Sequence, residues 1–148
     1  MVVTLPLLLF LGGLLLLSAS FSASEAALLS INKVRLRHLI EQGSRSAQRV
    51  FKLLTHLDRV ISTLLVANNL VNVAFSAVAS WILISLFGQE RGLAISAAAV
   101  TTVLLLIGEV TPKMFAVTHA EPVAFFMARP LGALVVVLFP IALFFTWA

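Results

Sequence analysis

Cysteine is missing from this 148-residue chain, and only six residues are acidic. Without cysteine there is no disulfide framework, no thiolate metal site and no redox couple. Charge is scarce as well: Asp, Glu, Lys and Arg make up 11% of the chain, against about 25% in a soluble domain. Hydrophobic residues reach 61% and the mean hydropathy is +1.11. A soluble globular domain is excluded; the chain reads as an integral, multi-pass membrane protein. The formal charge of +4 does not point to nucleic acid. The basic residues flank apolar runs, where the positive-inside rule accounts for them, so no nucleic-acid partner is expected.

Residues 2–30 form the first apolar run, Leu-rich at first and small and polar from Ser18 onward. It lacks a basic n-region and exceeds a signal-peptide core in length, so it reads as a retained span. From 31 to 59 lie Lys33, Arg35, Arg37, Arg45, Arg49, Lys52 and Arg59, seven of the ten basic residues. Val34, Leu36, Leu39 and Ile40, then Val50, Phe51, Leu53, Leu54 and Leu57, recur at helical spacing, with Gly43-Ser44 as the break. The stretch predicts an amphipathic helix pair on the cytoplasmic headgroups. Residues 60–87 and 93–115 predict the second and third spans, joined by a tight polar turn at 88–92. With the basic pair inside, the N-terminus and the 88–92 turn face outside, in a cell-membrane topology. Hydropathy reads 130–148 as a fourth span. Pro140 inside it argues instead for a juxtamembrane or re-entrant segment over 117–148, in kinked pieces broken near Pro130. The final apolar residues carry no polar tail, which reads as the membrane part of a longer protein.

The polar residues inside these runs are not scattered. Ser18, Ser22 and Glu25 are spaced i, i+4, i+7 on one helical stripe, with Ser20 and Ser24 on another. Asn68 and Asn72 share a face of the second span, and Gly108-Glu109 precede Pro112 in the third. Pro112 has no amide hydrogen to offer the Gly108 carbonyl four residues back, so that oxygen is available to a cation. At about 1.5 Å per residue, Glu109 and Asn68 sit roughly 9 and 12 Å from the inner ends of their spans, which puts them in one layer. A carboxylate at such depth costs about 2.5–3.5 kcal/mol by insertion scales, so it marks an ion or substrate path. The donor set is all oxygen, and the three histidines fall outside the predicted spans. Hard ions such as Mg2+, Na+ or Ca2+ fit it; soft transition metals do not. Ser20 and Ser24 read as packing residues. Glu25 is either an ion contact or the partner of Lys33 or Arg35. Lys113 is either a snorkelling anchor or the counter-charge of Glu109.

Phe21-Ser22-Ala23-Ser24-Glu25-Ala26-Ala27-Leu28-Leu29-Ser30, continuing into Lys33-Val34-Arg35-Leu36-Arg37-His38-Leu39, resembles the opening signature of the CorC/CNNM transmembrane domain. Ala67-Asn68-Asn69-Leu70-Val71-Asn72 and Gly108-Glu109-Val110-Thr111-Pro112-Lys113 resemble its second and third signatures, in the same order and spacing. The resemblance implies an all-α membrane domain of three spans, with a cytoplasmic short-helix pair and a juxtamembrane helix. It implies a homodimer that exports Mg2+ in exchange for Na+. ATP would act only through a cytosolic CBS-pair domain following this chain. It assigns Mg2+ to Ser18, Ser22, Asn68, Gly108 and Glu109. Ser24, Glu25, Asn72, Pro112 and Lys113 are left to a secondary or Na+ site. Small residues over 94–102 offer a surface for close helix packing in the dimer. Transport, not catalysis, is the expected activity; a Mg2+-sensing regulator of another transporter and a passive cation channel are the alternatives.

Overall fold

The structure, a computed structural model, describes residues 5–147; Val2 and Ala148, the expected limits of the first and last segments, lie outside them. All its elements are helices. Helix α1 spans Leu5–Ser30. The short pair is α2 (Lys33–Glu41) and α3 (Arg45–Thr55). Each is started by a side chain: Asn32 accepts from the amides of Val34 and Arg35, and Ser44 from that of Ala47. These caps satisfy donors that the first helical turn leaves unpaired. Gly43 makes the turn between them at φ 88°, where side chains are disfavoured.

Helix α4 covers Leu57–Phe87, three residues earlier than the apolar run alone indicated, because Asp58 and Arg59 serve as its exposed first turn. The third membrane helix also starts earlier than expected. The reversal predicted over 88–92 is made by Gly88 alone, at φ 85° and ψ 170°. Gln89–Val103 then forms α5, with Glu90 in its first turn, where the helix dipole favours negative charge. Gly92 lets α5 lie on α4: a Cβ there would fall 2.5 Å from the Ile84 Cα. Gly92→Ala is therefore expected to push the two helices apart, costing about 1–3 kcal/mol as overpacking does. A thermal melt in lipid nanodiscs checks it, and an unchanged midpoint would show that the contact is slack.

After α5 the backbone widens into a π-helical turn, Leu104–Val110, and resumes as α6, Thr111–Thr118. Helix α7 then runs from Ala120 to Trp147. Here the structure corrects the expectation of kinked pieces: Pro130 and Pro140 lie inside one continuous helix. Each proline deprives the carbonyl four residues back of its donor. Those carbonyls belong to Phe126 and Val136, whose residues are 80% and 78% exposed. On the outer face of a helix a lengthened carbonyl is readily tolerated.

Among the described residues, four helices are long and apolar enough to cross a membrane: Leu5–Ser30, Leu57–Phe87, Gln89–Thr118 and Ala120–Ile141. The course of α7 is nevertheless different from the other three. Its Glu121 pairs with Arg35, just past the end of α1, and its Phe139 ring lies 4.9 Å from the guanidinium of Arg59, in the first turn of α4. Both anchors are at the end of the bundle where the basic pair sits, so α7 runs along that end between them.

The apolar side chains divide accordingly into two cores. One joins Ala27 and Leu28 of α1, Leu36, Val50, Leu64 and Ala116 to Ala124, Ala128 and Leu131 of α7. The other is built from Leu14, Phe75, Ala79 and Val100 with Leu104 against them, and contains no described residue of α7.

Candidate functional site

Between the two cores lies a polar layer. Ser18 is one turn beyond Leu14 on α1; Asn68 and Asn72 fall between Leu64 and Phe75 on α4; Gly108 falls between Leu104 and Ala116. Ser18 is fully buried, and its hydroxyl faces two amide oxygens, Asn72 Oδ1 at 2.7 Å and Asn68 Oδ1 at 3.1 Å. A hydroxyl has one proton to donate, so two acceptors share it. Asn72, expected only in a secondary site, is thus a direct neighbour of Ser18.

Gly108 closes the layer from the third helix. A Cβ on it would come within 3.1 Å of Ser18 Oγ and within 3.7 Å of side-chain carbons of Leu15 and Leu104. Only a residue without a side chain lets the backbone approach this closely. The π-helical turn holds both Gly108 and Glu109. Turns of this kind inside α-helices recur at functional sites. Sequence reading did not register it; the available signal was Pro112, which cannot supply an α-helical amide to the Gly108 carbonyl.

Ser22 is also fully buried, and its Oγ has no hydrogen-bond partner among the described residues. Leaving a buried hydroxyl unpaired costs about 1–3 kcal/mol. Ser24, on the other stripe, is equally buried but donates to the Ser20 carbonyl at 2.6 Å. Ser20 in turn donates to the Leu16 carbonyl at 2.7 Å. Both therefore spend their protons on their own helix, in keeping with packing residues. Glu109 is half-buried and has neither an ion pair nor a hydrogen bond among the described residues.

The remaining charges are arranged differently from expectation. Glu25 pairs neither with Lys33 nor with Arg35; its carboxylate meets Lys113 Nζ at 3.9 Å, and Arg35 goes to Glu121. Lys113 is thereby drawn to Glu25 and not to Glu109. The reason is tertiary: α6 packs along the second half of α1, and α7 begins beside the start of α2. The Glu25–Lys113 side chains are 34% and 44% exposed, and such pairs contribute about 0–1 kcal/mol. Glu25→Gln is expected to lower stability by less than about 1 kcal/mol. A thermal melt in lipid nanodiscs reads it, and a larger loss would show that the pair is held more tightly than its exposure indicates.

Comparison with known proteins agrees with this architecture. The family model described as the Cyclin M transmembrane N-terminal domain matches residues 8–148. A UPF0053 protein of Haemophilus influenzae is 45% identical over 127 residues, covering 86% of this chain and 30% of the relative. The UPF0053 inner membrane protein YfjD of Escherichia coli is 44% identical over 121 residues, covering 80% of this chain and 28% of the relative. A putative DUF21 domain-containing chloroplastic protein of Arabidopsis thaliana is 33% identical over 140 residues, covering 94% of this chain and 21% of its own length. The chain thus spans less than a third of the length of each of these three relatives. With its helices of membrane-spanning length, it is an all-α, multi-pass membrane protein and belongs to the cyclin M (CNNM) transmembrane family.

Proposed function

We propose that this domain transports Mg2+ across the cell membrane, exporting it against Na+ entry, and that the polar layer between its two apolar cores holds the ion. The observation that carries the reading is the buried hydroxyl of Ser22, unpaired among the described residues and one helical turn from Ser18, whose own oxygen meets the amide oxygens of Asn68 and Asn72. Neighbouring ligands on an octahedral Mg2+ stand about 3.0 Å apart, from a metal–oxygen distance of about 2.1 Å. The Ser18 Oγ to Asn68 and Asn72 Oδ1 distances are 3.1 and 2.7 Å. Hydrogen-bond lengths of this kind fall close to the ligand spacing of a hard cation, so the three oxygens need little movement to meet one.

In this mechanism Mg2+ enters largely dehydrated. Ser18, Ser22, Asn68 and Asn72 supply neutral oxygens, the Gly108 carbonyl supplies another, and Glu109 supplies the charge. The Ser18 proton turns away from the amides as its oxygen binds the ion. Na+ arriving from outside competes for Glu109 and so favours release. With α2 and α3 on the cytoplasmic side, α7 lies along the inner leaflet, three helices cross, and Gly88 faces outside.

A second copy completes the unit. The outer side of α4 carries Asn69, Asn72, Ser76 and Ser80 around an open cavity of about 500 Å3. A polar stripe facing lipid is unfavourable, and a helix from another protomer satisfies it. The exposed small residues Ala94, Ala97, Ala98 and Thr101 on α5 offer an adjoining surface.

The test is flux in liposomes containing this protein alone. Mg2+ efflux that follows an imposed Na+ gradient, and is electrically silent on the single-channel scale, is the expected result. No flux despite Mg2+ binding would make the domain a regulator of another transporter. Unitary currents without Na+ coupling would make it a channel.

A further inference from the structure

The corner where α3, α4 and α7 meet holds a second constellation, separate from the ion layer. A cavity of about 520 Å3 opens there. Arg49 and Lys52 of α3, Arg59 of α4 and Arg129 of α7 line it together with the apolar side chains of Leu53 and Val136. No acidic residue lines it among the described residues; Asp58, the acidic neighbour of Arg59 in sequence, is not part of its wall.

The ion pairs among the described residues use Arg35 and Lys113, so none of these four cations has a carboxylate partner. Arg59 rests instead over the Phe139 ring at 4.9 Å. Four like charges held around one cavity repel each other, and an anion relieves that repulsion. The cavity also has an apolar continuation. Val136 and Val137 on the outer face of α7 are 78% and 67% exposed.

We propose that this corner binds an anionic phospholipid of the cytoplasmic leaflet. Its phosphodiester sits among Arg49, Lys52, Arg59 and Arg129, and an acyl chain lies along Val136 and Val137. Bidentate guanidinium contacts suit a phosphate, and basic pockets at the cytoplasmic ends of membrane helices suit such headgroups. A soluble phosphate would use the four charges and leave the apolar wall uncovered, which is why a lipid fits better. The site stands apart from the polar layer and does not depend on what the domain transports.

Gly132 provides a clean test. It lines the cavity, and a Cβ added to it meets nothing within 4 Å, so Gly132→Phe fills the space without removing a charge. Arg59→Gln with Arg129→Gln does the reverse, keeping the space and halving the charge. Native mass spectrometry of the delipidated chain, titrated with phosphatidylglycerol and with phosphatidylcholine of the same acyl chains, reads the affinities. Wild type is expected to bind the first at least tenfold more tightly, and each variant to lose that preference. Circular dichroism confirms folding, and if Gly132→Phe does not fold, the double glutamine variant decides. Equal affinity for both lipids in wild type, or undiminished preference in a folded variant, overturns the proposal. Displacement of the bound lipid by millimolar inorganic pyrophosphate, with no preference between the two lipids, would also overturn it and indicate a soluble-anion site.

Discussion

Glu109→Gln is expected to abolish Mg2+ binding in a chain that still folds. Glu109 lies well inside the third membrane helix, on the π-helical turn next to Gly108, and has no ionic partner among the described residues. A carboxylate at that depth costs about 2.5–3.5 kcal/mol by insertion scales, so its removal relieves the empty protein. Glutamine keeps the size and one oxygen and loses the charge. An Mg2+ site with no carboxylate would hold a divalent ion by dipoles alone, and a loss of at least a hundredfold, about 2.7 kcal/mol, is expected. The unfolding midpoint without Mg2+ should hold or rise, while the rise produced by added Mg2+ disappears. Unchanged affinity by calorimetry in the folded variant would remove Glu109 from the site.

The second large effect is a pair of opposite signs at one residue. Ser22→Ala should stabilise the ion-free protein and weaken Mg2+ binding. The unpaired buried Oγ carries a desolvation cost of about 1–3 kcal/mol, and alanine removes it without opening a significant cavity. On the proposed function the same change deletes an oxygen ligand, for which a loss of about tenfold, or 1.4 kcal/mol, is expected. Ser24→Ala is the control. That hydroxyl is equally buried but bonded to the Ser20 carbonyl, so its removal should lower stability and spare affinity. Thermal melts with and without Mg2+ measure both quantities. A stability loss at Ser22 comparable to that at Ser24 would mean that the hydroxyl has a structural partner after all.

The contrast between these two serines also marks the limit of sequence reading. Ser18 and Ser22 stand one turn apart, and that periodicity was enough to place both on the inward stripe of α1. Burial of Ser24, on the other stripe, was not legible, because α1 is contacted by α4 on one side and by the π-helical turn, α6 and α7 on others. A helix enclosed on several sides hides more than one stripe. Glu25 shows the same limit for charges. Its nearest basic residues in sequence are Lys33 and Arg35, yet its partner is Lys113. Ion pairing follows the packing of helices, and helical spacing constrains it only within one helix.

Composition and period by themselves determined that this is an all-α membrane protein, where its first three long helices lie, where the basic pair breaks, and which oxygens are candidates for a cation. Those properties are local: length against bilayer thickness, glycine at a positive φ, polar residues recurring every turn. Only the tertiary structure decided that Asn68 and Asn72 converge on Ser18, that the chain widens at Leu104–Val110, and that α7 stays unbroken through two prolines along the basic end of the bundle. Each of these is a balance between distant segments. A hydroxyl is paired or orphaned, and a proline kinks or passes, according to what the fold packs against it.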